Sequence, residues 1–368
     1  MTIFLQAARL VLPTLFFGYG ILANLSLLTG PLPAVVLPQD GLLSGGLTQK
    51  LDGLYKKDLP HMAVSFGLIG AARYALLGEA RQGAVVGQEG WLFTTEEVRD
   101  PPTGAQLGAI VRTVGDVRAR LAAAGTDLVV VALPAKIDIY RDLAPDARFG
   151  VALQTLYTRF NAQLAADGIT AIDARTALLH PAAPVFFATD THWTPRGAEI
   201  VAAAIAASGR IAGGDLVYGV TPGPDKAPTG DLVSFVSTAT LAPYIGLPPE
   251  TVGTYTQTVV EGAGDIFGTA AQDIVLVGTS YSANPDWGFA DALMRALGRD
   301  VVSVAEQGLG PLKPMQHYLA SADFLDAPPQ VVIWEIPIRY LTDPALWPAE
   351  LPSDLSAQGF SSKENPDG

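Results

Sequence analysis

Leu128-Val129-Val130-Val131-Ala132-Leu133, closed by Pro134, is an unbroken apolar run with β-branched residues at its centre. Such a run suits a strand buried on both faces, the environment of a parallel sheet covered by helices. Working outward, residues 105–124 before it and 151–166 after it carry helical spacing, and Thr170-Ala171-Ile172-Asp173 reads as the next strand. The alternation resumes at Ile274-Val275-Leu276-Val277. A helix near 286–298, the strand Val301-Val302-Ser303-Val304, a helix around 311–322 and the strand Val331-Val332-Ile333-Trp334 follow. Strands alternating with helices predict an α/β domain, a parallel sheet with helices on both faces.

Other segments decorate this frame. Val85-Val86-Gly87-Gln88-Glu89-Gly90-Trp91-Leu92-Phe93 reads as a short hairpin around a polar, Gly-containing turn. Thr194 before Pro195 is a helix start, an N-cap hydroxyl with proline in the first turn, and opens a helix to Ser208. Residues 212–270 are rich in Gly, Pro and Thr, weakly periodic, and read as an inserted set of surface loops.

The N-terminus has a different character. No charged side chain occurs from Leu10 to Gln39, and Leu10 to Leu28 is mostly apolar. About 20 such residues span a bilayer core as a helix. Arg9 precedes the run and no Lys or Arg follows until Lys50, which puts the N-terminus in the cytoplasm and the rest across the membrane. The expectation is an uncleaved signal anchor over 1–33, with a cleaved signal peptide as the alternative. Residues 34–95 then form a linker and a membrane-proximal helical region, 96–345 the main domain, and 346–368 a polar, disordered tail.

Composition excludes several function classes. With 23 basic against 36 acidic residues, the net charge of −13 leaves no basic face for a nucleic-acid partner. The absence of cysteine removes disulfides, thiolate zinc sites and cysteine nucleophiles.

Two stretches carry chemistry. Asp190-Thr191-His192-Trp193-Thr194-Pro195 sets a carboxylate two residues before an imidazole, and Gly278-Thr279-Ser280 sets a hydroxyl just past a strand. A base, the group that orients it and a nucleophile are the parts of a Ser-His-Asp unit. Each stretch has a plainer reading: the first as loop groups capping the helix at Pro195, the second as a turn in which Thr279 and Ser282 are equivalent hydroxyls. Of the four histidines, His61, His180 and His317 sit in structural contexts, which leaves His192 as the base. Asp190 and His192 are also metal-ligand types, but no second Asp/His cluster has ligand spacing, so no metal is expected. Glu335, Arg339 and Tyr340, after one strand end, and Lys136, after another, are candidates for lining the same crevice or for structural pairing. Trp193 either packs beneath its loop or offers its ring for a ligand to stack on.

As a set, Gly90-Trp91-Leu92-Phe93, Asp190–Pro195, Gly278-Thr279-Ser280-Tyr281-Ser282 and Trp334-Glu335-Ile336-Pro337-Ile338-Arg339-Tyr340-Leu341 resemble the periplasmic O-acetyltransferases of the alginate acetylation system. The resemblance covers roughly residues 50–345 and implies an SGNH-hydrolase-like, flavodoxin-like three-layer domain with a triad at Ser280, His192 and Asp190. Gly278-Thr279-Ser280 stands where ordinary SGNH esterases have Gly-Asp-Ser, and the block order is permuted relative to theirs. The chain ends soon after Leu341, which resembles the shorter, membrane-anchored members that lack a carbohydrate-binding domain.

That resemblance implies an inner-membrane protein whose catalytic domain lies in the periplasm. It would accept acetyl on Ser280 from an integral-membrane O-acyltransferase and pass it to a polysaccharide hydroxyl, alongside other exopolysaccharide biosynthesis proteins and with no cofactor. Gly310, in Gly308-Leu309-Gly310, is the candidate loop N–H for an oxyanion, with Ser280's own N–H. Acetyl esterase and an inactive polysaccharide-binding scaffold are the competing readings. The acceptor is alginate or, given the acidic chain, a neutral exopolysaccharide.

Overall fold

The computed structural model describes residues 2–30, 46–57, 59–179, 181–247, 249–261 and 273–347. Most of the expected linker, His180 and the tail beyond Trp347 lie outside them. Five parallel strands form the central sheet, β3 (Asp127–Leu133), β4 (Thr170–Asp173), β7 (Ile274–Val277), β8 (Val302–Ser303) and β9 (Val331–Pro337), in the spatial order β4-β3-β9-β7-β8. Counted from β7, this order is 2-1-3-4-5, that of flavodoxin-like sheets, and its switch point falls between β7 and β9. Ligands bind at such a point beyond the carboxyl ends of the strands.

The two-residue strand period sorts the apolar run of β3 between two cores. Leu128, Val130 and Ala132 join one cluster with Val275, Val277, Trp334 and the helices Gly104–Ala123, Ala147–Ala166 and Leu312–Ala320. Val129, Val131 and Leu133 join the other, with Ile274, Leu276, Ile333 and the helices Pro195–Ala207 and Phe289–Leu297. The helix starts follow from side chains: Thr103 and Gln106 form a capping box, Asp146 accepts from Arg148 N, and Thr194 accepts from Gly197 N. β9 runs three residues beyond the expected Trp334, which puts Glu335 inside the strand and fully buried, not past its end.

The segment expected to be surface loops is more ordered than that. β5 (Val217–Pro222) and β6 (Tyr255–Glu261) pair as an antiparallel ribbon. Between them, the 3-10 turns Asp231–Phe235 and Ala242–Ile245 pack through Leu232, Val233, Val236 and Ala242 onto the hairpin of β1 (Ala84–Val86) and β2 (Leu92–Thr94). The insertion therefore builds one wall of the site. Order also continues past residue 345, since Trp347 is buried and its Nε1 donates to Tyr340 O at 3.1 Å.

Two helices, Gly46–Lys57 and Met62–Leu77, precede the hairpin as the spacing predicts. The second lies so close to the insertion that a Cβ at Gly70 would stand 2.1 Å from Val236 O. Thr2–Thr29 is a helix, yet among the described residues no helix is long and apolar enough to cross a membrane. The expected spanning segment is therefore not shown.

Candidate active site

Asp190 and His192 lie on the loop between the isolated bridge partners Phe186 and Trp193, and Ser280 opens the helical turn Ser280–Ala283 directly after β7. The fold brings the three together across 88 residues of sequence. Ser280 Oγ lies 2.7 Å from His192 Nε2, and His192 Nδ1 lies 2.6 Å from Asp190 Oδ1. An ionised carboxylate can only accept, so Nδ1 carries the proton and Nε2 offers its lone pair to the serine hydroxyl. The Asp190 carboxylate accepts two further bonds, from His192 N at 2.9 Å and Asp231 N at 2.9 Å. Burial acts to raise its pKa, but the bond and charge of His192 with those backbone N–H groups outweigh it and hold Asp190 below the usual aspartate value.

The three hydroxyls of the Thr279–Ser282 turn separate cleanly. Thr279 Oγ1 and Ser282 Oγ both donate to Glu335 Oε2 at 3.0 Å, and Thr279 N donates to the same oxygen at 2.7 Å. Ser280 alone of the three faces His192. Gly278 is required there, because a Cβ would meet Glu335 Oε2 at 2.6 Å and Ser282 Oγ at 2.8 Å. Burial pushes Glu335 up to about 7 against those hydrogen bonds and the charge of Arg339.

The two loops are stapled to each other. Trp193 Nε1 donates to Tyr281 O at 3.0 Å and Tyr281 Oη donates to Thr191 O at 2.6 Å. Trp193 is fully buried against Tyr281 and Phe289, so of its two readings packing is the one observed. The Asp190 loop is also held by Glu250, which accepts from Ala188 N at 2.8 Å and Thr189 N at 2.9 Å.

A cleft of about 300 Å³ opens over Ser280 and His192, walled by Thr94, Glu96, Arg99, Asp231, Phe235, Gly308, Arg339 and Tyr340 among others. Tyr340 lines it beside Ser280. Arg339 stacks over the Tyr340 ring at 4.4 Å, donates to Tyr340 Oη at 3.0 Å and pairs with Glu96. Three expectations change. Lys136 is not in the cleft but buried, its ammonium bound to backbone carbonyls. Gly310 is turned towards Leu346, and the residue of that loop lining the cleft is Gly308. Glu335 lies beneath the serine turn, outside the cleft lining.

Asp190, His192 and Asp231 also bring three ligand-type atoms within 4.8 Å of one another. Each already has a protein partner: Asp231 Oδ1 accepts from Thr191 N at 2.9 Å and Oδ2 from Thr191 Oγ1 at 2.6 Å. A metal would have to displace these bonds, so the donor set fits proton handling better than ligation. Asp231, Glu250, Arg99 and Gly308 were not singled out from sequence. The first two lie in the weakly periodic 212–270 segment, with no local spacing to Asp190 that marks them.

An acyl-transfer site is what these parts can build: a polarised hydroxyl, a base with a free lone pair, a carboxylate fixing its tautomer, and an open cleft. Residues 84–338 match the family described as the SGNH hydrolase-like domain of acetyltransferase AlgX. The chain is 37% identical to a probable alginate O-acetylase AlgJ of Pseudomonas fluorescens, over 86% of this chain and 85% of that protein. It is 35% identical to the namesake in Pseudomonas aeruginosa, covering 86% of each. Among solved structures, the O-acetyltransferase domain of Pseudomonas putida AlgJ superposes with a TM-score of 0.62 at 35% identity, covering 71% of this chain and 93% of that one. Pseudomonas aeruginosa AlgX gives 0.57 at 25% identity, covering 71% and 67%.

Proposed function

We propose, for a chain that belongs to the SGNH hydrolase-like acetyltransferase family of AlgX and AlgJ, that it is an alginate O-acetyltransferase working through a Ser280-His192-Asp190 triad. The single observation that carries this reading is the unbroken hydrogen-bonded chain from Ser280 Oγ through both nitrogens of His192 to Asp190, opening into a cleft. His192 Nε2 takes the Ser280 proton as Oγ attacks the acetyl carbonyl, then returns it to the departing donor group, leaving an acetyl ester on Ser280. A polysaccharide hydroxyl next gives its proton to Nε2 and attacks that ester. Collapse transfers the acetyl group and restores the serine. Asp190 keeps the imidazole in the working tautomer and stabilises its charged form. The Ser280 backbone N–H, at the head of a helical turn, and a backbone N–H of the loop at Gly308 serve the oxyanion.

The catalytic domain belongs in the periplasm, tethered to the inner membrane through the helix Thr2–Thr29, which exposes Leu12, Phe16, Phe17 and Leu22. No free coenzyme thioester is found there, so an integral-membrane O-acyltransferase supplies the acetyl group, with other alginate biosynthesis proteins alongside. The permuted reading of the domain is supported by the strand order, which becomes 2-1-3-4-5 once the serine-bearing strand is counted first.

Full-length protein given an aryl acetate and a panel of mannuronate and neutral oligosaccharides tests this by mass spectrometry. The expected products are acetylated mannuronates, lost in Ser280→Ala. Acetate release that ignores every acceptor identifies an esterase instead, and identical behaviour of wild type and Ser280→Ala removes both enzyme readings.

A further inference from the structure

Lys136 stands at the carboxyl end of β3, the place where a lysine is expected to meet substrate, yet its side chain is buried and runs under the rim. Its three ammonium donors are each spent on a backbone carbonyl: Leu92 at 2.6 Å, Ala188 at 3.0 Å and Asp190 at 2.9 Å. Leu92 belongs to the β2 hairpin, whereas Ala188 and Asp190 belong to the loop that carries the carboxylate and the imidazole. Trp91 and Phe93 offer ring faces to the same nitrogen, each 5.2 Å from it. Leu92 N also donates to Ala188 O at 2.8 Å, so loop and hairpin meet directly over the ammonium.

We infer that Lys136 is a positioning residue for the Asp190–His192 pair, an internal cation that gathers three carbonyls and thereby sets where the carboxylate stands relative to the serine turn. No hydrophobic or neutral side chain of similar length could satisfy all three carbonyls, and buried acceptors left unmade are costly. The acidic groups facing the ammonium are Glu97 from the turn after β2, Glu250 from the insertion, and Asp190 and Asp231 from the site itself. Their charges offset burial only in part, and the amine is pulled down to about 8. A neutral amine has two N–H donors, so one of the three carbonyls is released as the proton leaves.

The inference rests on the acyl-transfer reading for its kinetics but carries an independent readout, the Nδ1 proton that His192 shares with Asp190, seen by NMR of the full-length protein. In Lys136→Met, kcat for aryl acetate turnover should fall between about tenfold and about a hundredfold, with KM within about twofold. The Nδ1 proton should shift or exchange away. A kcat within about twofold of wild type, with that proton unmoved, overturns the inference. Should the variant fail to fold, wild type decides alone. A common midpoint near 8 for kcat and for the Nδ1 resonance supports the inference, and flat behaviour of both between about pH 7 and about pH 9 overturns it. If Ser280→Ala leaves turnover unchanged, the acyl-transfer reading fails while the positioning role is still judged from the His192 proton.

Discussion

The Asp190 loop and the Ser280 turn meet at the hydrogen bond between His192 and Ser280, flanked by the two that Trp193 and Tyr281 make, but are held by opposite means. Around the first, one cation gathers carbonyls while Glu250 and Asp231 gather N–H groups, all from distant segments. Around the second, a single buried carboxylate, Glu335, gathers one N–H and two hydroxyls from the turn itself. The serine turn extends a strand and inherits its position from the sheet. The loop has no strand beneath it, so its position is made by the Leu92 backbone of the hairpin and by side chains from the insertion and the end of β3. Mutations should therefore act on the loop through several charges and on the turn through one.

The largest effect is expected at the meeting point. Asp190→Asn keeps the shape but offers N–H where an acceptor is needed, which favours the wrong His192 tautomer, so kcat for aryl acetate should drop by about 10³- to 10⁴-fold with binding little changed. A loss under tenfold would show that the loop works without that carboxylate, for instance through Asp231, whose Oδ2 lies 3.9 Å from His192 Nδ1.

A smaller, pH-dependent effect separates the two supports. Glu335, raised to about 7 by burial, binds a proton more readily folded than unfolded, so its contribution to stability is full below the ordinary glutamate value near 4.5 and is lost as pH rises through about 7. Glu335→Gln should flatten the dependence of thermal stability on pH between about 4.5 and about 7. An unchanged pH slope would mean that burial does not raise Glu335 as described.

These contrasts also explain what the sequence disclosed. The buried strands were legible because each is a short apolar run, and the 2.7 Å partners Ser280 and His192 lie just beyond a strand end and just before a helix cap. Asp190 was legible from its spacing to His192. What local pattern could not distinguish was Ser280 from Thr279 and Ser282, since all three are hydroxyls in one turn and only the buried Glu335 sorts them. The two readings of Lys136, crevice lining and structural pairing, stay open in the sequence for a related reason: a strand-end position indicates the rim, not which way a long side chain points. Glu250 and Asp231 reach the loop through tertiary contacts across 61 and 40 residues, and no periodicity records such pairings. Gly308 rather than Gly310 lines the cleft because the loop turns at two positive-φ glycines whose order alone does not reveal its exposed side.

The most direct test of the central reading is to trap the acyl-enzyme. Full-length protein mixed with aryl acetate, quenched in acid and digested should yield the Ser280 peptide carrying one acetyl group, and Ser280→Ala should not. Acetyl appearing on another side chain, or on none while turnover proceeds, would contradict a mechanism that passes through Ser280.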